Sequence, residues 1–148
     1  MVSQDAARSL FASDSVKVLV VDDHELVAEA MSSYLSTNSG FEAVAVFDIK
    51  SALDAIKLKG PFSVILLDDD MPLLEPMESM SKLSTANGGR IAMLSGMANS
   101  HAVGRALLAG AIGFVPKTLP LKLLQDAIRL MADGEIFMPS ELLRTSAA

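Results

Sequence analysis

Short apolar runs punctuate the chain at Val16–Val21, 41–47, 64–67, 91–94 and 112–115. They are built mainly from Val, Ile, Leu and Ala, with few polar breaks. Continuous apolar runs of this length suit strands covered on both faces, as in a parallel sheet between helices. Between the runs, apolar residues recur at helical spacing. Val27, Met31, Tyr34 and Leu35 share one face, which predicts a helix over Glu25–Ser36. Ala52, Leu53 and Ile56 mark a second helix, with Asp48 placed as its N-cap. A third, Met-rich helix is predicted over 75–83, followed by a loop over 84–90 that contains Asn87, Gly88 and Gly89. Val103, Ala106 and Leu107 mark a fourth helix. Leu124, Ala127, Ile128 and Met131 mark a fifth, with Pro120 in its first turn. Gly40, Gly60, Gly110 and Gly134 each follow a helical segment, where a left-handed residue commonly ends the helix, and Pro61 reinforces the stop at Gly60.

This alternation predicts an α/β domain, a doubly wound five-stranded parallel sheet of (βα)5 type with right-handed crossovers, over residues 16–133. Residues 1–15 are expected to be a frayed extension. They carry Asp5, Arg8 and Asp14 and no continuous apolar core, unlike a signal peptide. Residues 134–148 carry Pro139 and read as a linker.

Composition narrows the chemistry. Of 148 residues, 51% are apolar and 20% charged, which is a globular balance with an aliphatic core. There is no Cys, so disulfides, thiolate metal sites and a Cys nucleophile are excluded, and a cytoplasmic location is expected. No run is long enough to cross a bilayer. The net charge of −6 argues against nucleic-acid binding by this stretch itself.

In an open parallel sheet, ligands bind beyond the carboxyl ends of the strands. The first run ends in Asp22-Asp23-His24 and the third in Asp68-Asp69-Asp70. The fourth ends in Ser95-Gly96 and the fifth in Pro116-Lys117. Clustered carboxylates repel one another and call for a cation, and oxygen-only ligands suit Mg²⁺. A carboxylate oxygen beside such a cation can accept a phosphoryl group, with an ammonium and a hydroxyl neutralising the transferring charge. Each residue also has an ordinary reading. An Asp pair after a strand often caps a helix, a lone Ser often sits in a turn, and a lone Lys is usually a surface charge. Their joint placement at the ends of different strands favours the functional reading.

These residues resemble the receiver domains of two-component response regulators. The resemblance spans roughly residues 16–133. It rests on Val20-Val21-Asp22-Asp23-His24-Glu25, Leu66-Leu67-Asp68-Asp69-Asp70-Met71-Pro72, Met93-Leu94-Ser95-Gly96 and Gly110-Ala111-Ile112-Gly113-Phe114-Val115-Pro116-Lys117. The resemblance implies a flavodoxin-like fold with Asp68 as phospho-acceptor. It implies Asp23 as a direct Mg²⁺ ligand, Asp22 as one acting through water, and the Asp70 backbone carbonyl as a further ligand. Ser95 matches the switch hydroxyl, Lys117 the phosphate-binding lysine, and Phe114 the aromatic that changes rotamer on activation. Asp70 and Met97 are expected to modulate the site, Asp70 through its extra carboxylate and Met97 by covering it.

Residues 23–25 and 113–118 look closest to the NarL/LuxR-type subgroup. That likeness implies a sensor histidine kinase as donor, homodimerisation on phosphorylation, and control of transcription. DNA would be bound only through a helix-turn-helix output domain beyond Ala148, so the stretch reads as an excised receiver in preference to the alternative, a stand-alone one. One departure is Pro76, which stands where the family usually has Gly in the loop after the third strand, and which predicts a stiffer loop. A receiver is a switch that assists its own phosphorylation and dephosphorylation, not an enzyme on an external substrate. Two other readings compete. One is a haloacid-dehalogenase-like Mg²⁺ phosphatase built on Asp68 and Asp70. The other is a degenerate receiver that binds a partner constitutively.

Overall fold

The computed structural model describes residues 15–71, 76–96 and 100–138. Five strands and five helices alternate along them: β1 Val16–Val21, α1 Glu25–Ser36, β2 Phe41–Val46, α2 Ile49–Lys59, β3 Val64–Asp68, α3 Pro76–Asn87, β4 Ile91–Ser95, α4 Ser100–Leu108, β5 Gly113–Pro116 and α5 Leu121–Ala132. All neighbouring strands pair in parallel, in the order β2-β1-β3-β4-β5. This is the doubly wound, flavodoxin-like arrangement expected from the sequence. The chain order reverses direction between β1 and β3, and that crevice is where a ligand site belongs.

Two apolar cores lie on opposite faces of the sheet. Val18, Val20, Leu66 and Leu94 point to the face covered by α1 and α5. Leu19, Val21, Ile65 and Leu67 point to the face covered by α2, α3 and α4. Double coverage explains why β3 and β4 read as nearly continuous apolar runs and why β1 is broken only by the half-buried Lys17. β2 differs. It is an edge strand, only Phe41 is fully buried, and Glu42 is exposed.

Several local expectations hold at the atomic level. Asp48 caps α2 by accepting a hydrogen bond from Ser51 N at 2.7 Å. Pro120 lies one position earlier than expected, as the N-cap just before α5 and not within its first turn. Gly40, Gly110 and Gly134 adopt left-handed φ values of 97°, 95° and 92°. Gly60 does not, since its φ is −78° and ψ −177°. A Cβ there would sit 2.4 Å from the Ile56 carbonyl oxygen, so close approach to α2, and not a positive φ, demands glycine.

The third helix corrects the sequence reading. It runs to Asn87 and so takes in four residues assigned to a loop. Its end is a Schellman-type closure, in which Gly89 N donates to Ser84 O at 2.9 Å across Gly88, whose φ is 77°. Pro76 is the first residue of this helix and not a loop residue. There its missing N–H costs nothing, because first-turn amides have no partner within the helix.

Beyond α5 the chain turns back. Phe137 N donates to Ile112 O, and Phe114 N donates to Phe137 O, each at 3.1 Å, forming a parallel bridge beside β5. Phe137 packs on one core and Met138 on the other, the alternation expected of a strand. The close approach leaves no room for a side chain at Gly113, where a Cβ would meet Met131 Sδ at 2.6 Å and Phe137 O at 2.9 Å.

Candidate functional site

Each chemically suggestive strand end arrives at the same edge of the sheet. β1 and β3 are adjacent, with Val21 in register with Leu67, so Asp22 and Asp68 emerge side by side. Both are buried, at 0% and 1% exposure. The two carboxylates shape their loops alike. Asp22 Oδ1 accepts from His24 N at 2.9 Å, and Asp68 Oδ1 accepts from Asp70 N at 3.1 Å. Such bonds to the amide two residues on hold the backbone in a turn as it leaves the strand.

β5 delivers the cation. Ser95 pairs with Pro116, and Lys117 N donates to Ser95 O at 2.6 Å. The Lys117 ammonium then lies 3.0 Å from Asp22 Oδ2 and 3.2 Å from Asp68 Oδ1. Ser95 itself is buried at the end of β4. The cleft above these groups has a volume of about 480 Å³ and is lined by His24, Val27, Asp69, Asp70, Gly96 and Lys117.

Electrostatics follow from this crowding. Burial, the shared hydrogen bond with Asp22 and the charge of Asp22 push the Asp68 carboxyl up to about 6, against the pull of the Asp70 amide and Lys117. Burial also works against ionised Asp22. Hydrogen bonds from the His24 backbone, Asp68, Lys117 and the His24 ring outweigh it and leave Asp22 below its ordinary value. Lys117 is disfavoured by burial too, but its bond to Asp22 and the charges of both carboxylates hold it above the usual lysine value. One proton is thus harder to remove from Asp68 than from its neighbour, as expected when like charges share a site.

The residues fit a divalent cation. Asp23 Oδ1 and Asp68 Oδ2 are buried and have no hydrogen-bond partner. Asp22, Asp23 and Asp68, with Lys117 as counter-charge, leave two negative charges when all are ionised. Asp22, Asp23, His24 and Asp68 each offer a ligand atom within 4.8 Å of the others. Asp70 lines the cleft but stands outside this cluster, with its side chain exposed.

The structure thus brings together Asp22, Asp23, Asp68, Ser95 and Lys117, as the sequence suggested. Phe114 is packed fully inward, at 1% exposure, in the core beneath α2, α3 and α4. Met97 lies outside the described residues. His24 joins the acidic cluster, a role its sequence motif does not assign to it. Its Nδ1 lies 2.9 Å from Asp22 Oδ1, 3.5 Å from Asp23 Oδ1 and 3.7 Å from Asp68 Oδ2. Its pKa is raised, chiefly by the bond to Asp22, against the charge of Lys117. The signal available in the sequence was its place directly after two acids at a strand end.

A parallel sheet with buried acids at its β1/β3 crevice and a lysine facing them is the arrangement expected of a receiver-type signalling domain, and comparison with known proteins supports that class. The family model for the response regulator receiver domain matches residues 18–129, and the chain belongs to that family. VraR, a response regulator protein of Staphylococcus aureus (strain NCTC 8325 / PS 47), is 36% identical over 136 residues, covering 88% of this chain and 63% of VraR. The glycerol metabolism activator of Pseudomonas putida is 29% identical over 131 residues, covering 87% of this chain and 59% of the relative. The chain therefore spans about three-fifths of the length of these curated relatives. The receiver domain of a putative NarL from Mycobacterium tuberculosis superposes with a TM-score of 0.72 at 28% identity, covering 82% of this chain and 98% of that one. A LuxR family DNA-binding response regulator from Silicibacter pomeroyi gives a TM-score of 0.69 at 31% identity, covering 84% and 97%. The chain is thus homologous to the receiver domains of NarL- and LuxR-type regulators, and the phosphatase and degenerate-receiver readings are not favoured. No helix among the described residues is long and apolar enough to cross a membrane.

Proposed function

We propose that this receiver domain accepts a phosphoryl group on Asp68 from a sensor histidine kinase in the cytoplasm. The observation that carries the reading is the buried Asp68 carboxylate, 3.2 Å from Lys117 and beside Asp22 at the β1/β3 crevice. Asp23 would ligate Mg²⁺ directly, Asp22 through water, and the Asp70 backbone carbonyl would add a further ligand. Bound Mg²⁺ supplies charge neutralisation for the transferring group.

The residues of the chain perform the rest. An Asp68 oxygen forms the new bond to phosphorus as the P–N bond to the kinase imidazole breaks. The electron pair of that bond leaves with the imidazole nitrogen. Lys117 offsets charge on the phosphoryl oxygens and Ser95 donates its hydroxyl to one of them. Drawing Ser95 toward the phosphoryl group is coupled to the rotamer of Phe114 and remodels the face of α4, β5 and α5. Phe114 is buried in the core here, at 1% exposure. Dimerisation would follow, and DNA would be bound through an output domain beyond this sequence.

The test is treatment with a small acyl phosphate and Mg²⁺, read by intact mass and by sizing. One phosphoryl group per chain is expected, none in Asp68→Ala, and a dimer only in the modified sample. Retention of the added mass in Asp68→Ala would remove Asp68 from this role. Continuous turnover of a phosphomonoester would revive the phosphatase reading.

A further inference from the structure

Receiver-type metal chemistry uses oxygen donors, yet the pocket in this chain also contains a nitrogen. Nδ1 of His24 faces three carboxylate oxygens from two strands, at 2.9, 3.5 and 3.7 Å. Neighbouring ligands of an octahedral ion with bonds of about 2.1 Å lie roughly 3.0 Å apart, and opposite ligands roughly 4.2 Å apart. Asp22 Oδ1, at 2.9 Å, is a hydrogen-bond partner of His24 Nδ1, while Asp23 Oδ1 and Asp68 Oδ2, at 3.5 and 3.7 Å, lie between those two spacings, each about half an ångström from one of them.

Two further observations point to a ligand. Asp68 Oδ2 and Asp23 Oδ1 are buried and lack any hydrogen-bond partner, so the side of the cluster facing His24 is the side left open. Lys117 is bound mainly to Asp22 Oδ2 and Asp68 Oδ1, at 3.0 and 3.2 Å, and its contact with His24 Nδ1 is longer, at 3.4 Å. His24 is also free to adjust, because its ring is 56% exposed and it precedes α1 without capping it by its side chain.

Resting on the metal reading proposed above, we infer that His24 is a nitrogen ligand that biases this pocket toward a borderline divalent ion such as Mn²⁺ over Mg²⁺. Imidazole nitrogen is a good donor for first-row transition ions and a poor one for Mg²⁺, which holds oxygen and water. The three carboxylates then serve either ion, and His24 separates them. Asp22 is shared between His24 and Lys117 and orients both.

The experiment uses the full chain, stripped with a chelator and titrated at pH 8 with Mn²⁺ alone and Mg²⁺ alone by calorimetry. The Mn²⁺-loaded protein is then read by electron spin-echo spectroscopy. The wild type is expected to show nitrogen modulation from a bound imidazole. His24→Ala is expected to lose that modulation and to lower the Mn²⁺/Mg²⁺ affinity ratio by on the order of tenfold, the scale on which ligand-shell changes act. His101→Ala, which removes the other histidine of the chain, is expected to keep both. Mn²⁺ binding without nitrogen modulation in the wild type would overturn this inference and leave the Mg²⁺ site standing. Equal weakening of both ions in His24→Ala would reduce His24 to a prop for Asp22 and overturn it as well. Failure of the wild type to bind either ion would overturn the metal reading itself and this inference with it.

Discussion

The two ends of the sheet bury polar side chains in opposite ways. At the amino end, Asn87 is buried with its amide fully engaged. Its Oδ1 accepts from Phe62 N at 2.7 Å, and its Nδ2 donates to Phe62 O and Gly89 O, each at 3.0 Å. At the carboxyl end, Asp22 and Asp68 are buried together, and Asp68 Oδ2 and the nearby Asp23 Oδ1 are left without hydrogen bonds. The first arrangement ties the end of α3 to the start of β3. The second raises the carboxyl pKa of Asp68 to about 6 and is stabilised by the Asp70 and His24 amides together with Lys117. Buried polar groups that satisfy one another hold a fold, and buried charges left short of partners mark a place for a ligand.

Substitutions separate these roles, beginning with the largest effect. Asp68→Asn removes the acceptor, and phosphoryl incorporation measured by mass is expected to fall below detection while the fold persists. Asn87→Ala does the reverse. It strands the buried Phe62 amide and is expected to cost about 3 kcal/mol in urea unfolding followed by circular dichroism, with the site chemistry intact in the folded fraction. Lys117→Ala leaves two buried carboxylates facing each other. A loss of about 2 kcal/mol is expected at pH 8, and a smaller one at pH 5, where Asp68 can take a proton.

The pH dependence of the chelator-treated wild type sharpens the contrast further. Asp68 is raised from 3.8 to about 6, so its folded form binds the proton more tightly than the unfolded chain does. Its contribution is fully present below the unfolded value of 3.8 and is lost as pH rises through about 6. Asp22, which is lowered, acts in the opposite sense and only below 3.8. His24, which is raised, loses its contribution only as pH climbs past its unfolded value of 6.5. Stability is therefore expected to decline between pH 4 and about 6, and that decline is expected to vanish in Asp68→Asn. The smallest effect belongs to Asp70→Asn. Its exposed carboxylate is worth roughly 0.5 kcal/mol, about a twofold change in phospho-aspartate lifetime followed by loss of mass over time.

Much of this was legible in the sequence because strand ends are legible. Val16–Val21 stops at Asp22, and the run from Val64 stops at Asp68, so parallel pairing alone carries both acids to one edge. The features that escaped depend on partners distant in the chain. Asn87 reads locally as a loop residue beside two glycines, and its helical state rests on Phe62, 25 residues away. Edge strand β2 resembles the doubly covered strands in sequence, because nothing in residues 41–47 shows which strand ends the sheet. Phe137 reads as part of a linker, but it bridges to Gly113 and packs on the core. His24 sits beside Asp22 and Asp23 in sequence, but its approach to Asp68 exists only because β1 and β3 are neighbours.

The central claim is that Asp68, alone among the clustered acids, carries the phosphoryl group. The most direct measurement is to phosphorylate the chain with a small acyl phosphate and Mg²⁺, reduce the acyl phosphate with borohydride, and sequence the peptides by tandem mass spectrometry. Reduction turns a phosphorylated aspartate into homoserine. The account predicts homoserine at position 68 and intact aspartate at Asp22, Asp23, Asp69 and Asp70. Homoserine at any of those four positions, or at none of the five, would contradict it.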